Sequence, residues 1–203
     1  HSLATAKAVW DEFKEKELAA GKSQADLENC ALRYAMVEIV NIYDEGLTFE
    51  PIHRVLFGVE APSVLEFCHD KLGGVIEGVA SAEELAGLVE NSTNNFGFVF
   101  VDAMGKQQFY CLKTEIQELA VSRLQPVLDE YLAGKAGTEI DYIHGSDEVF
   151  RLGSQGGALS LLLPPVAKDS FFATIGGGGP LPRKSFSMGE ASEKRFYLEA
   201  RKI

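Results

Sequence analysis

Apolar side chains recur every third or fourth residue at Leu3, Ala6, Val9, Trp10, Phe13 and Leu18, so residues 2–20 are expected to form a helix that Gly21 stops. Residues 25–32 read as a second, short helix. The period then drops to two. Residues 33–43 are rich in Val, Ile and Tyr and predict a strand, Asp44-Glu45-Gly46 supplies turn chemistry, and residues 49–57 predict a second strand. Pro51 cannot donate to a ladder, which puts the beginning of that strand at an edge or an irregular step.

Further along, helices and strands interleave. Residues 61–72 read as a helix with Pro62 in its first turn, where a missing N–H does no harm, and Gly73-Gly74 ends it. Residues 75–80 predict a short strand, and residues 81–91 a helix opened by the capping pair Ser81 and Glu84. Residues 96–102 and 107–112 predict a hairpin. Residues 115–133 are mainly helical, with Pro126 marking a kink or a break. Strands at 138–143, 158–163, 185–188 and 194–200 alternate with short helices at 146–152, for which Ser146 is a cap candidate, and 168–174. The pattern predicts an α+β fold: a mixed, largely antiparallel sheet with flanking helices, hairpins and β–helix–β passages. Residues 1–203 are treated as one region, with sub-boundaries expected near residues 58–62 and 134–137.

The polar residues inside the two strands at 33–57 are the first chemical pointer. Period-two geometry puts Tyr34, Met36, Glu38, Val40 and Ile42 on one face, so the Glu38 carboxylate sits among apolar neighbours and needs a partner, a proton or a cavity. Asn41 shares that strand. In the next strand His53, Val55 and Phe57 share one face, and Ile52, Arg54 and Leu56 the other. Arg54 offers a fork for carboxylate or phosphate, and His53 or Glu38 is the acid–base candidate. The other reading is a buried Glu–Arg pair and a hydrogen-bonded His that only fix strand register. Both stay open.

Elsewhere the signals are thinner. The run Gly176 to Gly179, followed by Arg183, Lys184 and Ser185, suggests a backbone cradle for phosphate. It matches neither G-x-x-x-x-G-K-[ST] nor G-x-G-x-x-G, and a flexible loop with an exposed basic residue explains it as well. The histidines His1, His53, His69 and His144 form no i, i+4 pair, so no metal site is expected. Asp44, Glu45 and Glu50 read as a solvated turn, since cation binding there would need ligands from elsewhere. No G-x-S-x-G nucleophile elbow occurs.

Composition narrows the partners. The net charge is −11 with no dense Lys/Arg cluster, which argues against nucleic acid. No apolar run approaches the roughly 20 residues of a membrane span, so no membrane partner is expected. Cys30, Cys68 and Cys111 are odd in number and far apart, which suggests free thiols in a reducing cytoplasm. The chain opens on His1 rather than Met, and an expectation follows that it is part of a longer protein.

The run RYAMVEIVNIYDEGLTFEPIHRVLF, the strand GALSLLLPP and the segment PLPRKSF resemble the C-terminal part of the bacterial "domain of unknown function 1015" family, the E-P-x-H-R block being the most specific. In that family a box of the form D-G-H/N-H-R/S precedes a helix like the first one here. The resemblance implies that only His1-Ser2 remains of the box and that an N-terminal region precedes it. The box is similar to the D-G-H-H-R motif of ParB-like nucleotide-binding domains, some of which act as free-serine kinases. It implies His1 as a site residue, while Ser2-Leu3 stand where the longer box has His-Arg.

The sequence reading is thus a cytoplasmic bacterial protein of this family with a small-molecule site. His1, Asn41, Arg54 and Lys184 are expected as ligand contacts, and Glu38 and His53 as catalytic groups. Phosphoryl transfer between a nucleotide, carried with magnesium, and a small hydroxylated metabolite suits a site that lacks a covalent nucleophile. The alternative is a non-catalytic metabolite-binding or assembly protein that presents an apolar edge to form a homo-oligomer. Whether the protein is an enzyme stays open at this stage.

Overall fold

A strand needs a free edge as well as a suitable sequence, and the available edges decide this architecture. The computed structural model describes residues 2–37 and 39–189. At its centre lie β1 (Phe49–Phe57), β2 (Val75–Val79), β3 (Asn95–Val101), β4 (Gln107–Lys113), β5 (Glu139–His144), β6 (Ala158–Leu162) and β7 (Phe186–Met188). They form one open sheet in the order β2-β4-β3-β6-β1-β5, with β7 paired to the first residues of β1. Every pairing among the described residues is antiparallel. The helices are α1 (Ser2–Ala19), α2 (Gln24–Leu27), α3 (Ala61–Leu72), α4 (Ala82–Glu90), α5 (Ala120–Leu132), α6 (Ser146–Gly153) and α7 (Lys168–Gly178). This is the α+β class expected from the sequence.

The sheet is covered on both faces. On one side α3 and α5 bury Val64, Leu65, Leu124 and Leu128 against Leu56, Phe96, Phe98, Leu159 and Leu161. On the other, α4 and α6 bury Leu85, Val89 and Val149 against Val99, Cys111 and Leu162. The switch of side between Leu161 and Leu162 follows from the period of two. Because both faces are covered, β6 is buried at every position and reads as a continuous apolar run rather than an alternation. Helix α6 lies very close to the sheet. A Cβ on Gly153 would fall 2.7 Å from a Val99 methyl and 2.9 Å from the Val99 carbonyl oxygen, so only glycine fits.

Several expectations are corrected. The first strand of the hairpin, at 33–43, does not form. A 3₁₀ turn spans Ala31–Arg33, and the described residues from Tyr34 to Thr48 are irregular. The reason lies in the sheet: over residues 54–57, β1 is bonded to β5 on one edge and β6 on the other, leaving none for a hairpin partner. The turn itself is present, with Asp44 Oδ1 accepting from the Gly46 amide at 2.9 Å. The glycine run is not a loop, because α7 continues through Gly178 and stops at Gly179. Of the two outcomes expected at Pro126, a kink or a break, the break does not occur, since α5 runs through it from Ala120 to Leu132. Ser146 is the first residue of α6 rather than its cap, which is Gly145. The strand expected at 194–200 lies outside the described residues. Among the described residues no helix is long and apolar enough to cross a membrane.

Candidate functional site

The two faces of β1 set His53 and Arg54 on opposite sides of the sheet, in different surroundings. Arg54 faces α5 and is 0% exposed. Its Nε donates to Gln125 Oε1 at 3.1 Å, its Nη2 donates to the Lys184 carbonyl at 2.9 Å, and its Nη1 donates to the Ile52 carbonyl. The guanidinium stands 5.0 Å from the ring centroid of Tyr142, its cross-strand neighbour on β5. Gln125 passes the interaction on, donating to Asp129 at 2.9 Å, and Arg183 lies 3.8 Å from the same carboxylate. Burial pulls the Arg54 pKa down to about 10, which still leaves it charged at neutral pH. With all these donors spent on protein acceptors, Arg54 ties β1 to α5 and to the segment before β7. The residue whose carbonyl it holds, Lys184, has φ 54, a left-handed conformation uncommon for a side chain other than glycine.

His53 faces the other side and is 5% exposed. Its Nδ1 accepts a hydrogen bond from the Leu163 amide at 3.1 Å, just past the end of β6. Burial first, then the charge of Arg54 and the nearby His144, push its pKa down to about 4. The imidazole is therefore neutral at pH 7. Since Nδ1 is an acceptor, the proton sits on Nε2, which lies on the far side of the ring and has no hydrogen-bond partner among the described residues.

The imidazole borders a cleft of about 640 Å³. Glu50, Glu90, His144, Ser146 and Lys168 are among its other walls. Strand β5 ends at His144, Gly145 turns the chain with φ 88, and α6 begins at once, so the helix start opens onto the cleft. Among the described residues no side chain caps α6. Lys168, at the start of α7, donates to the Asp44 carbonyl at 2.9 Å and so ties α7 to the segment at 45–50 that lines the cleft.

The residues singled out by sequence are therefore distributed rather than gathered. His53 lines this cleft. Lys184 lines a second hollow of about 630 Å³ with Leu3, Phe171 and Phe186, beside the start of α1. Arg54 is buried on the opposite face of β1 from His53. Asn41 is exposed, and its Oδ1 closes a local turn by accepting from the Tyr43 amide at 3.1 Å. His1 and Glu38 lie outside the described residues. Sequence reasoning did not select His144, Ser146, Lys168 or the Leu163 amide as site groups. One usable signal was the order strand–Gly–helix at 139–153, which places helix amides beside a strand end. Among the described residues no three His, Cys, Asp or Glu side chains converge to hold a metal ion.

An open antiparallel sheet covered on both faces by helices, with a cleft of mixed polar and apolar lining beside β1, defines an α+β protein. The family model for "Protein of unknown function (DUF1015)" matches residues 1–131, and the chain belongs to that family. No curated protein and no solved structure matches it.

Proposed function

We propose that this protein binds a small polar metabolite in the cleft bordered by His53, His144, Ser146 and Lys168. The observation that carries this reading is the state of His53: a buried, neutral imidazole whose outer N–H has no acceptor among the described residues and which borders an open space. The N–H reaches the open space of the cleft, where a bound acceptor would take the place of water. Binding is better supported than acid–base catalysis, because with Nδ1 held by the Leu163 amide the exposed nitrogen already carries its proton and donates rather than accepts.

Phosphoryl transfer with a nucleotide is the finer version of this reading. The carboxylates of Glu45, Glu50 and Glu90 border the cleft without converging as a metal site, so a magnesium ion in this reading would be held by the phosphates of the nucleotide that brings it. The box that the sequence resemblance implies would fall at His1, outside the described residues, so the nucleotide part rests on the cleft. A thermal-shift screen against nucleotides, sugar phosphates, amino acids and polyols, with and without magnesium, tests both levels. Stabilisation that is lost in His53→Gln supports the cleft. Stabilisation by nucleotide that requires magnesium supports phosphoryl transfer. No stabilisation by any compound contradicts both.

Assembly is the second reading, favoured by a specific feature. Tyr34, Met36, Val37, Ile39, Val40 and Tyr43 are exposed on one irregular, β-prone segment, with Met36 at 79% and Ile39 at 92%. A second copy of the chain is the partner this reading commits to.

A further inference from the structure

We infer that the cleft takes the anionic end of its ligand, a carboxylate or a phosphate group, on the backbone amides that open α6 together with the Nε2–H of His53. The inference rests on the reading of the cleft as a ligand site and adds the chemical class of the group it holds.

The first observation is the bare start of α6. The first N–H groups of any helix have no acceptor within the helix, and a Ser, Thr, Asp or Asn cap usually supplies one. Here the cap is Gly145, which has no side chain, and the eight residues of α6 follow it directly. Glu148, in the first turn, is turned to Arg151. The amides at 146–148 thus carry the partial positive charge of a helix start, and Gly145 and Ser146 border the cleft.

The second observation is independent of the helix. His53 is only 5% exposed, its Nδ1 is tied to the Leu163 amide, and its Nε2–H has no acceptor among the described residues. In the sheet register it stands opposite Ile143, two residues before Gly145, so imidazole and helix start open on the same space. A donor left in this position, beside amides in the same condition, suits an acceptor with several lone pairs. Lys168 adds a cation to the same wall, and a lysine with one bond to a carbonyl retains two further donors.

Glu45, Glu50 and Glu90 set a limit on the anion. All three are at least partly exposed, where water reduces the repulsion of a charge at 4 Å to about 1 kcal/mol, less than the amides and imidazole contribute at hydrogen-bond range. One anionic group is tolerated. A bare triphosphate would meet three carboxylates with one lysine to offset them, which selects against it.

The test is an NMR titration of the whole chain with inorganic phosphate and, separately, with acetate, read at the amides of residues 145–148 and at the His53 ring nitrogens. Saturable shifts confined to these groups are expected with at least one probe. Which probe binds tells a phosphate end from a carboxylate end. In Ser146→Pro one amide is lost at the helix position where proline is best tolerated, and affinity should fall about tenfold, the loss of one charge-assisted hydrogen bond. Shifts scattered over surface lysines, or equal affinity in Ser146→Pro, overturn the inference. An uncharged metabolite that shifts the cleft residues while neither anion does overturns it too, yet leaves the cleft a ligand site. Silence of these residues toward both anions and every metabolite screened overturns both readings.

Discussion

Two adjacent residues on β1 carry most of the polar chemistry, and each has its own test. The pKa of His53 falls from 6.5 to about 4 on folding, so between these values the unfolded chain binds the extra proton. Stability then rises with pH across that window and is lost as pH falls through it. A shift of this size corresponds to up to about 3 kcal/mol. Urea midpoints measured from pH 7 down to pH 4.5 should drop more steeply for the wild type than for His53→Gln, and parallel curves would show that the imidazole is not held neutral. Arg54 is tested by truncation. Arg54→Ala leaves the Gln125 and Lys184 oxygens without their donor inside the protein, and a loss of about 3 kcal/mol or more is expected, read as a lower Tm. Ligand binding in the cleft should survive at temperatures where the variant is folded. If instead Tm is unchanged and an anionic ligand is lost, Arg54 belongs to the site rather than to the scaffold.

Among the elements, the position of α6 matters most, because it supplies the start of the helix and one wall of the cleft. Gly153→Ala brings a Cβ into Val99, including its backbone oxygen, and should cost about 1–3 kcal/mol while displacing the helix. Differential scanning calorimetry reads the cost, and shifted amides at 145–148 read the displacement. The same elements show what a sequence can and cannot reveal. The alternation in β1 put His53 and Arg54 on opposite faces, and the structure agrees, because side-chain direction in a strand is a local property. The strand at 33–43 has as good a local pattern as β1 but forms none, and β5 and β6, which lie far along the chain, take both edges of β1 over residues 54–57. The helical stripe of α1 gives the right element, Ser2–Ala19, yet none of its residues is buried. Periodicity sets the conformation and does not by itself provide the surface to pack on. The His53 site was half legible for the same reason. Its residue type and face were local facts. The Leu163 amide that fixes its tautomer, and the bare start of α6 beside it, depend on contacts between distant parts of the chain.

At the scale of the whole molecule, charge and exposed apolar surface act together. A net charge of −11 repels polyanions at long range and keeps copies apart, whereas the apolar residues of the segment around Ile39 favour association. If that segment joins two copies, sedimentation of the wild type should depend on protein concentration and rise with salt, and Ile39→Lys should be monomeric with an unchanged Tm. A wild type that sediments as a monomer at every concentration and salt level removes the assembly reading and leaves the cleft untouched. The cleft reading itself depends on a single chemical state, an imidazole that stays neutral and offers Nε2–H to the open space. Long-range proton–nitrogen NMR on the intact chain observes that state directly. At pH 7 the account predicts a protonated Nε2 and a bare Nδ1 for His53, with no titration until the pH approaches about 4. A ring that carries its proton on Nδ1, or that titrates near its ordinary value of 6.5, contradicts it.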